Sequence, residues 1–148
     1  MSPRRVATLA TVLAAVVLAV VACSSASESK IVVAGAWVRP APAGGETAAY
    51  FTVTNAGGHD DVLVGVSTPD AQTAGLHKTS TDASGMTGMA HTDSIAIPAG
   101  GTVELKAGGY HVMLTGVTKD LVVGGSIDLV LTFEQVGVVR VKAEVKGG

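Results

Sequence analysis

Four side chains in the second half of the chain carry a recognisable donor chemistry: His77, Met89, His111 and Met113. Eleven residues separate His77 from Met89, twenty-one separate Met89 from His111, and the last two form a His-x-Met step. Imidazole nitrogen with thioether sulfur is a soft, uncharged donor set. It suits Cu(I) far better than magnesium, calcium or zinc. Thioethers form no disulfides, so such a set persists in oxidising compartments where free thiols would be lost.

The elements that must position these residues read as β throughout. Expected strands are Ile31–Val38, Thr47–Asn55, Asp61–Ser67, Gln72–Thr79, Thr102–Lys106 and Tyr110–Thr115, with a closing hairpin of Ser126–Gln135 and Val138–Val145. Segments of Val, Thr and Ile alternate with turns of Gly, Asp, Asn and Pro, such as Asn55-Ala56-Gly57-Gly58 and Pro98-Ala99-Gly100-Gly101. That is the signature of short strands joined by tight turns. The last strand alternates cleanly: Val139, Val141, Ala143 and Val145 against Arg140, Lys142, Glu144 and Lys146. One face is therefore buried and the other solvated. No sustained helical period occurs after the leader. The expected class is all-β, an antiparallel Greek-key sandwich or barrel.

On this frame His111 and Met113 lie two apart in one strand, so both side chains leave the same face. Val112 and Leu114 then point inward. A surface His beside a filler Met is the commoner meaning of His-x-Met alone. The partners shift that reading. His77 ends a strand, and Met89 lies in Thr81–Thr92, a Gly-containing segment expected to be an irregular loop. Methionine is usually a core filler, yet Met86 and Met89 fall where no core is expected. Met86 and His91 are possible auxiliary ligands, though His91 also reads as a solvated loop histidine. His59, between Gly57-Gly58 and Asp60-Asp61, reads as a turn residue.

The N-terminus belongs to targeting rather than to the fold. Arg4 and Arg5 precede an apolar run over Val6–Val21 that ends in Val20-Val21-Ala22-Cys23. It is short for a membrane span and has signal-peptide flanks. Small residues before a cysteine resemble a lipobox. Cys23, the only cysteine, would be lipidated, and two acyl chains give stable anchoring. An ordinary secretory signal is the plainer alternative. The expected organisation is a leader over 1–22, lipidated Cys23 with a flexible tether to residue 30, and one β domain over 31–148. Without Arg4 and Arg5, eight basic residues face twelve acidic ones. This argues against a nucleic-acid partner.

At this point the chain resembles the periplasmic copper chaperones of the PCu(A)C family. The resemblance rests on the four donors at their spacing and on their surroundings. Those are Ala36-Trp37-Val38-Arg39-Pro40, Ala48-Ala49-Tyr50-Phe51, Ile97-Pro98-Ala99-Gly100-Gly101, Gly108-Gly109-Tyr110-His111-Val112-Met113-Leu114 and Leu131-Thr132-Phe133-Glu134. It spans Ile31 to Val145. It implies a cupredoxin-like β fold, one Cu(I) held by His77, Met89, His111 and Met113, and delivery to a copper-accepting protein such as a cytochrome c oxidase subunit. Here the protein would be a monomer tethered to the outer face of the cell membrane.

Enzyme motifs are missing: there is no Gly-x-Ser-x-Gly, Walker loop, His-Glu-x-x-His or Cys-x-x-Cys. A blue-copper electron carrier needs a cysteine thiolate, and none remains once Cys23 is lipidated. Copper delivery, copper sequestration by a resistance lipoprotein, and a metal-free β-sandwich remain as alternative functions.

Overall fold

The computed structural model describes residues 28–148; the leader, Cys23 and most of the tether lie outside the described residues. Ten strands follow in chain order: β1 Ile31–Val38, β2 Glu46–Asn55, β3 Asp61–Ser67, β4 Ala71–Thr81, β5 Thr87–His91, β6 Ile95–Ile97, β7 Thr102–Leu105, β8 Tyr110–Val117, β9 Ser126–Phe133 and β10 Gly137–Val145. Among the described residues no helix is long and apolar enough to cross a membrane.

The strands form one open sheet in the order β5-β4-β8-β2-β1-β10-β9-β3-β6, with β7 pairing β2 off this path. The all-β expectation holds, with one correction to an antiparallel sheet. β1 pairs β10 in parallel, Trp37 beside Glu144 and Val38 beside Val145, so the sheet is mixed. The first and last strands of the domain thereby close against each other. At the register shift between Ala34 and Trp37 in β1, Gly35 takes φ 63°, a bulge conformation that side chains resist.

Every strand except β5 contributes to one core, which includes Val38, Phe51, Leu63, Ile97, Leu114 and Leu129. Each such side chain contributes roughly 1.5–3 kcal/mol by leaving water. In β8, Val112 and Leu114 are fully buried, as their alternation requires. They clamp the strand that carries His111 and Met113 onto the core, so those two residues stand on the rigid part of the molecule.

The segment Thr81–Thr92, expected as an irregular loop, is instead largely strand. β5 pairs β4 antiparallel from His77↔His91 to Thr81↔Thr87. The turn between them is fixed locally. The Asp82 carboxylate accepts the Ser84 and Met86 N–H groups at 2.9 and 3.0 Å, while Gly85 takes φ 84°. All five residues of β5 are exposed, and β5 is a short edge strand with a single neighbour.

At the opposite end, buried Asp61 accepts hydrogen bonds from the Ser29 hydroxyl and from the Gln135 and Val136 N–H groups. Lys30 N–H donates to the Asn55 side chain at 3.1 Å. The chain thus joins the domain's hydrogen-bond network at Ser29, just before β1.

Candidate metal centre

Strand order and register bring the four expected donors onto one face. β4 lies between β5 and β8. His77 stands directly opposite His111 on one side and His91 on the other. Directly paired residues in an antiparallel ladder project from the same face. A row of three imidazoles therefore crosses three strands. Ring centroids are 5.8 Å apart for His77–His111 and 5.6 Å for His77–His91. One step along, Met89 faces Thr79; one step the other way, Met113 faces Gly75. The two thioethers thus flank the imidazole row on the same face.

His111 carries the most telling geometry. It is 3% exposed, and its Nδ1 lies 3.1 Å from the Gly109 carbonyl oxygen. A carbonyl only accepts, so Nδ1 holds the ring proton and the lone pair is on Nε2. That Nε2 is buried with no hydrogen-bond partner, the one such side-chain atom among the described residues. A buried polar atom without a partner costs about 1–3 kcal/mol. Coordination by a soft metal would satisfy it, and a backbone carbonyl on the other nitrogen is the usual arrangement behind a metal-bound histidine.

His77 is half-buried. Burial lowers its pKa below the ordinary 6.5, and the nearby imidazoles of His111 and His91 push it the same way. It is thereby kept neutral, the form that donates to metals. Gly75 supplies room beside it: a Cβ there would come within 3.5 Å of His77 Nε2.

Met89, His111 and Met113 all line one cavity of about 530 Å³, together with Thr79, Tyr50 and Arg39. Arg39 and Tyr50 carry no ligand signal, but both lie within the motifs Trp37-Val38-Arg39-Pro40 and Ala48-Ala49-Tyr50-Phe51. The Arg39 guanidinium lies over the Tyr50 ring at 5.6 Å, and Trp37 packs against that ring at 4.7 Å. A cationic, aromatic rim therefore borders the thioether cavity, a feature that spacing alone does not reveal.

The auxiliary candidates separate. Met86 is 71% exposed near the tip of the β4–β5 hairpin. His91 is exposed as expected, but it belongs to β5 rather than to a loop and faces His77. His59 is exposed in the turn after β2, where its carbonyl accepts a hydrogen bond from Asn55. No group of three His, Cys, Asp or Glu side chains among the described residues is arranged to hold a metal. The expected four-donor centre therefore depends on methionine sulfur.

The fold and this face define a β domain that presents an imidazole–thioether cluster from three adjacent strands. The family model described as "Putative lipoprotein LpqE-like" matches residues 31–145, and the chain belongs to that family. A relative from Leifsonia xyli, named "Putative lipoprotein Lxx21020", is 35% identical over 114 residues, covering 77% of this chain and 68% of that one. Among solved structures, the Cu(I) form of DR1885 from Deinococcus radiodurans is 37% identical with a TM-score of 0.64, covering 86% of this chain and 84% of that chain. The copper-bound PCuAC domain of PmoF2 is 28% identical with a TM-score of 0.65, covering 82% and 97%. The apo PCuAC domain of PmoF1 shares the fold at 24% identity and a TM-score of 0.69, covering the same shares of the two chains. The resemblance to PCuAC domains read from the sequence therefore extends to the three-dimensional fold.

Proposed function

We propose that this chain is an extracytoplasmic Cu(I)-binding chaperone, a carrier rather than an enzyme. It holds one Cu(I) through His77, Met89, His111 and Met113 and passes it to a copper-accepting protein. The observation that carries this reading is His111 Nε2: buried and unpartnered, on a residue opposite a neutral His77 that shares one cavity with Met89 and Met113. Two imidazoles and two thioethers match the preference of Cu(I) for soft donors. The copper-bound solved relatives support the same cargo.

Delivery is favoured over sequestration by the asymmetry of the site. Met89 is 60% exposed on an edge strand that adds nothing to the core, whereas His111 is buried on β8. A ligand that can swing away leaves a position for an acceptor's own donor. A storage site would enclose all four ligands. The acceptor is a protein copper centre such as that of cytochrome c oxidase. Cys23, as a lipidated anchor, holds the domain at the outer face of the cell membrane, consistent with the lipoprotein description of the family.

The test is transfer. Protein loaded with one Cu(I) is mixed anaerobically with an apo oxidase copper domain. Stoichiometric appearance of the acceptor's copper signal supports delivery. Retention of copper by this chain in the presence of excess acceptor supports sequestration instead. Separately, Cys23→Ser should move the protein out of the membrane fraction or block its processing.

A further inference from the structure

His91 is not one of the four expected donors, yet its ring stands in the same imidazole row, 5.6 Å from that of His77. Its Nε2 lies 3.3 Å from the Asp93 carboxylate. Both side chains are exposed beside β5. The β4–β5 pairing continues past His91, with Thr92 N–H donating to the Leu76 carbonyl at 2.9 Å, so the backbone is held as far as Thr92.

His91 Nδ1 and His77 Nε2 converge over Gly75. A point one bond above the Gly75 Cα lies 3.5 Å from His77 Nε2 and 3.7 Å from His91 Nδ1. Apart from the glycine and its chain neighbours, the three nearest heavy atoms to that point all belong to these two rings. Both rings must turn toward this space for their nitrogens to reach the ~2 Å that a metal–imidazole bond requires. Asp93 and His91 also border an open hollow of about 210 Å³ with Gly75, wide enough to admit water.

We propose that His77 and His91 form a second cation site over Gly75, for a borderline divalent ion, foremost Cu(II). Imidazole is the donor that Cu(II) favours, and for nitrogen sites Cu(II) binds most tightly of the first-row divalent ions. Its two donors are imidazole nitrogens, whereas the cluster on the β8 side offers thioethers and a buried nitrogen. The two sites share His77. On the reading of the cluster as a Cu(I) site, the two oxidation states therefore exclude one another: a chain loaded with Cu(I) cannot take Cu(II) at His91.

The experiment is a Cu(II) titration of the full chain, followed by electron paramagnetic resonance, on wild type, His91→Ala, Met113→Ala and His59→Ala. Cu(I) affinity of the same proteins is measured by chelator competition. The wild type should bind one Cu(II) with imidazole nitrogen couplings. His91→Ala should weaken Cu(II) binding at least tenfold and leave Cu(I) affinity unchanged. Met113→Ala should do the reverse, and His59→Ala should change neither. Cu(II) binding that is unaffected by His91→Ala, that falls equally with Met113→Ala, or that is lost with His59→Ala overturns the proposal. A failure of Cu(I) binding in the wild type would instead overturn the copper-chaperone reading and leave the Cu(II) result to be read by itself.

Discussion

Gly75 in β4 stands directly opposite Met113 in β8, and a side chain at Gly75 would abut the His77 ring. A glycine inside a strand weakens it by backbone entropy and offers nothing to pack. Its value here is the space it leaves beside the His77 ring, a ligand of the expected Cu(I) cluster. Gly75→Ala puts a methyl at ordinary contact distance, so the fold should tolerate it. Removing a strand glycine should even stabilise the protein by about 0.4–1 kcal/mol. Cu(I) affinity should fall by about tenfold, ~1.4 kcal/mol. Chelator competition beside thermal unfolding checks both halves. A loss of affinity that merely tracks a loss of stability would contradict the spatial role.

Met89 and Met113 should differ in kind. Met113 is half-buried on a strand clamped by Val112 and Leu114; Met89 lies on an exposed edge strand. Peripheral segments with few buried contacts open most easily. Met113→Ala should mainly reduce Cu(I) affinity, and Met89→Ala should mainly alter the rate of transfer to an apo acceptor. Stopped-flow transfer set against equilibrium affinity separates them. Equal effects of both substitutions on both quantities would rule out a departing Met89.

The pH response follows from His77. Burial, reinforced by His111 and His91, depresses its pKa below 6.5. Between that lowered value and 6.5 the unfolded chain holds more of this proton than the folded one. The apo domain therefore loses stability as pH falls through this window. Cu(I) competes with the same proton only below the lowered value, so His77 should not weaken copper binding on acidification to pH 6.5. The His77 ring protons should titrate by NMR with a midpoint under 6.5 in the apo protein. A midpoint above 6.5 would contradict the environment described.

Asp61 sets acid stability at the other end of the domain. Its burial would raise the carboxyl pKa. Hydrogen bonds from the Gln135 and Val62 N–H groups, the Ser29 hydroxyl and the Val136 N–H outweigh that, and the net shift is downward from 3.8. A depressed carboxyl contributes stability that is present above 3.8 and is lost as pH falls through the folded value. Asp61→Asn should cost about 2 kcal/mol at neutral pH, in the range for hydrogen bonds to a charged group. It should also flatten the acid limb of the stability curve. Urea unfolding between pH 7 and 3 checks this, and an unchanged acid limb would count against it.

Much of this was legible in the sequence because burial imposes a period of two. The alternation in β10 places Ala143 and Val145 in the core and Arg140, Lys142 and Lys146 in solvent. That of β8 correctly turns Val112 and Leu114 inward. β5 was not legible for the converse reason: Thr87–His91 is exposed on both faces, so nothing constrains its side-chain pattern. β6, three residues long, is too short to show a period. The parallel β1–β10 pairing joins strands a hundred residues apart and leaves no local trace. Within the candidate site, spacing supplied the donors. The burial of His111, its carbonyl-held Nδ1 and the convergence of His91 on His77 come only from strand order and register.

The most direct test of the central claim is anaerobic Cu(I) competition on wild type, His111→Ala and Met113→Ala, with circular dichroism confirming the fold of each. The wild type should bind one Cu(I). Each substitution should weaken binding by more than the roughly 10–100-fold that losing an outer-shell partner costs. Folded His111→Ala and Met113→Ala proteins that keep wild-type Cu(I) affinity would contradict the account.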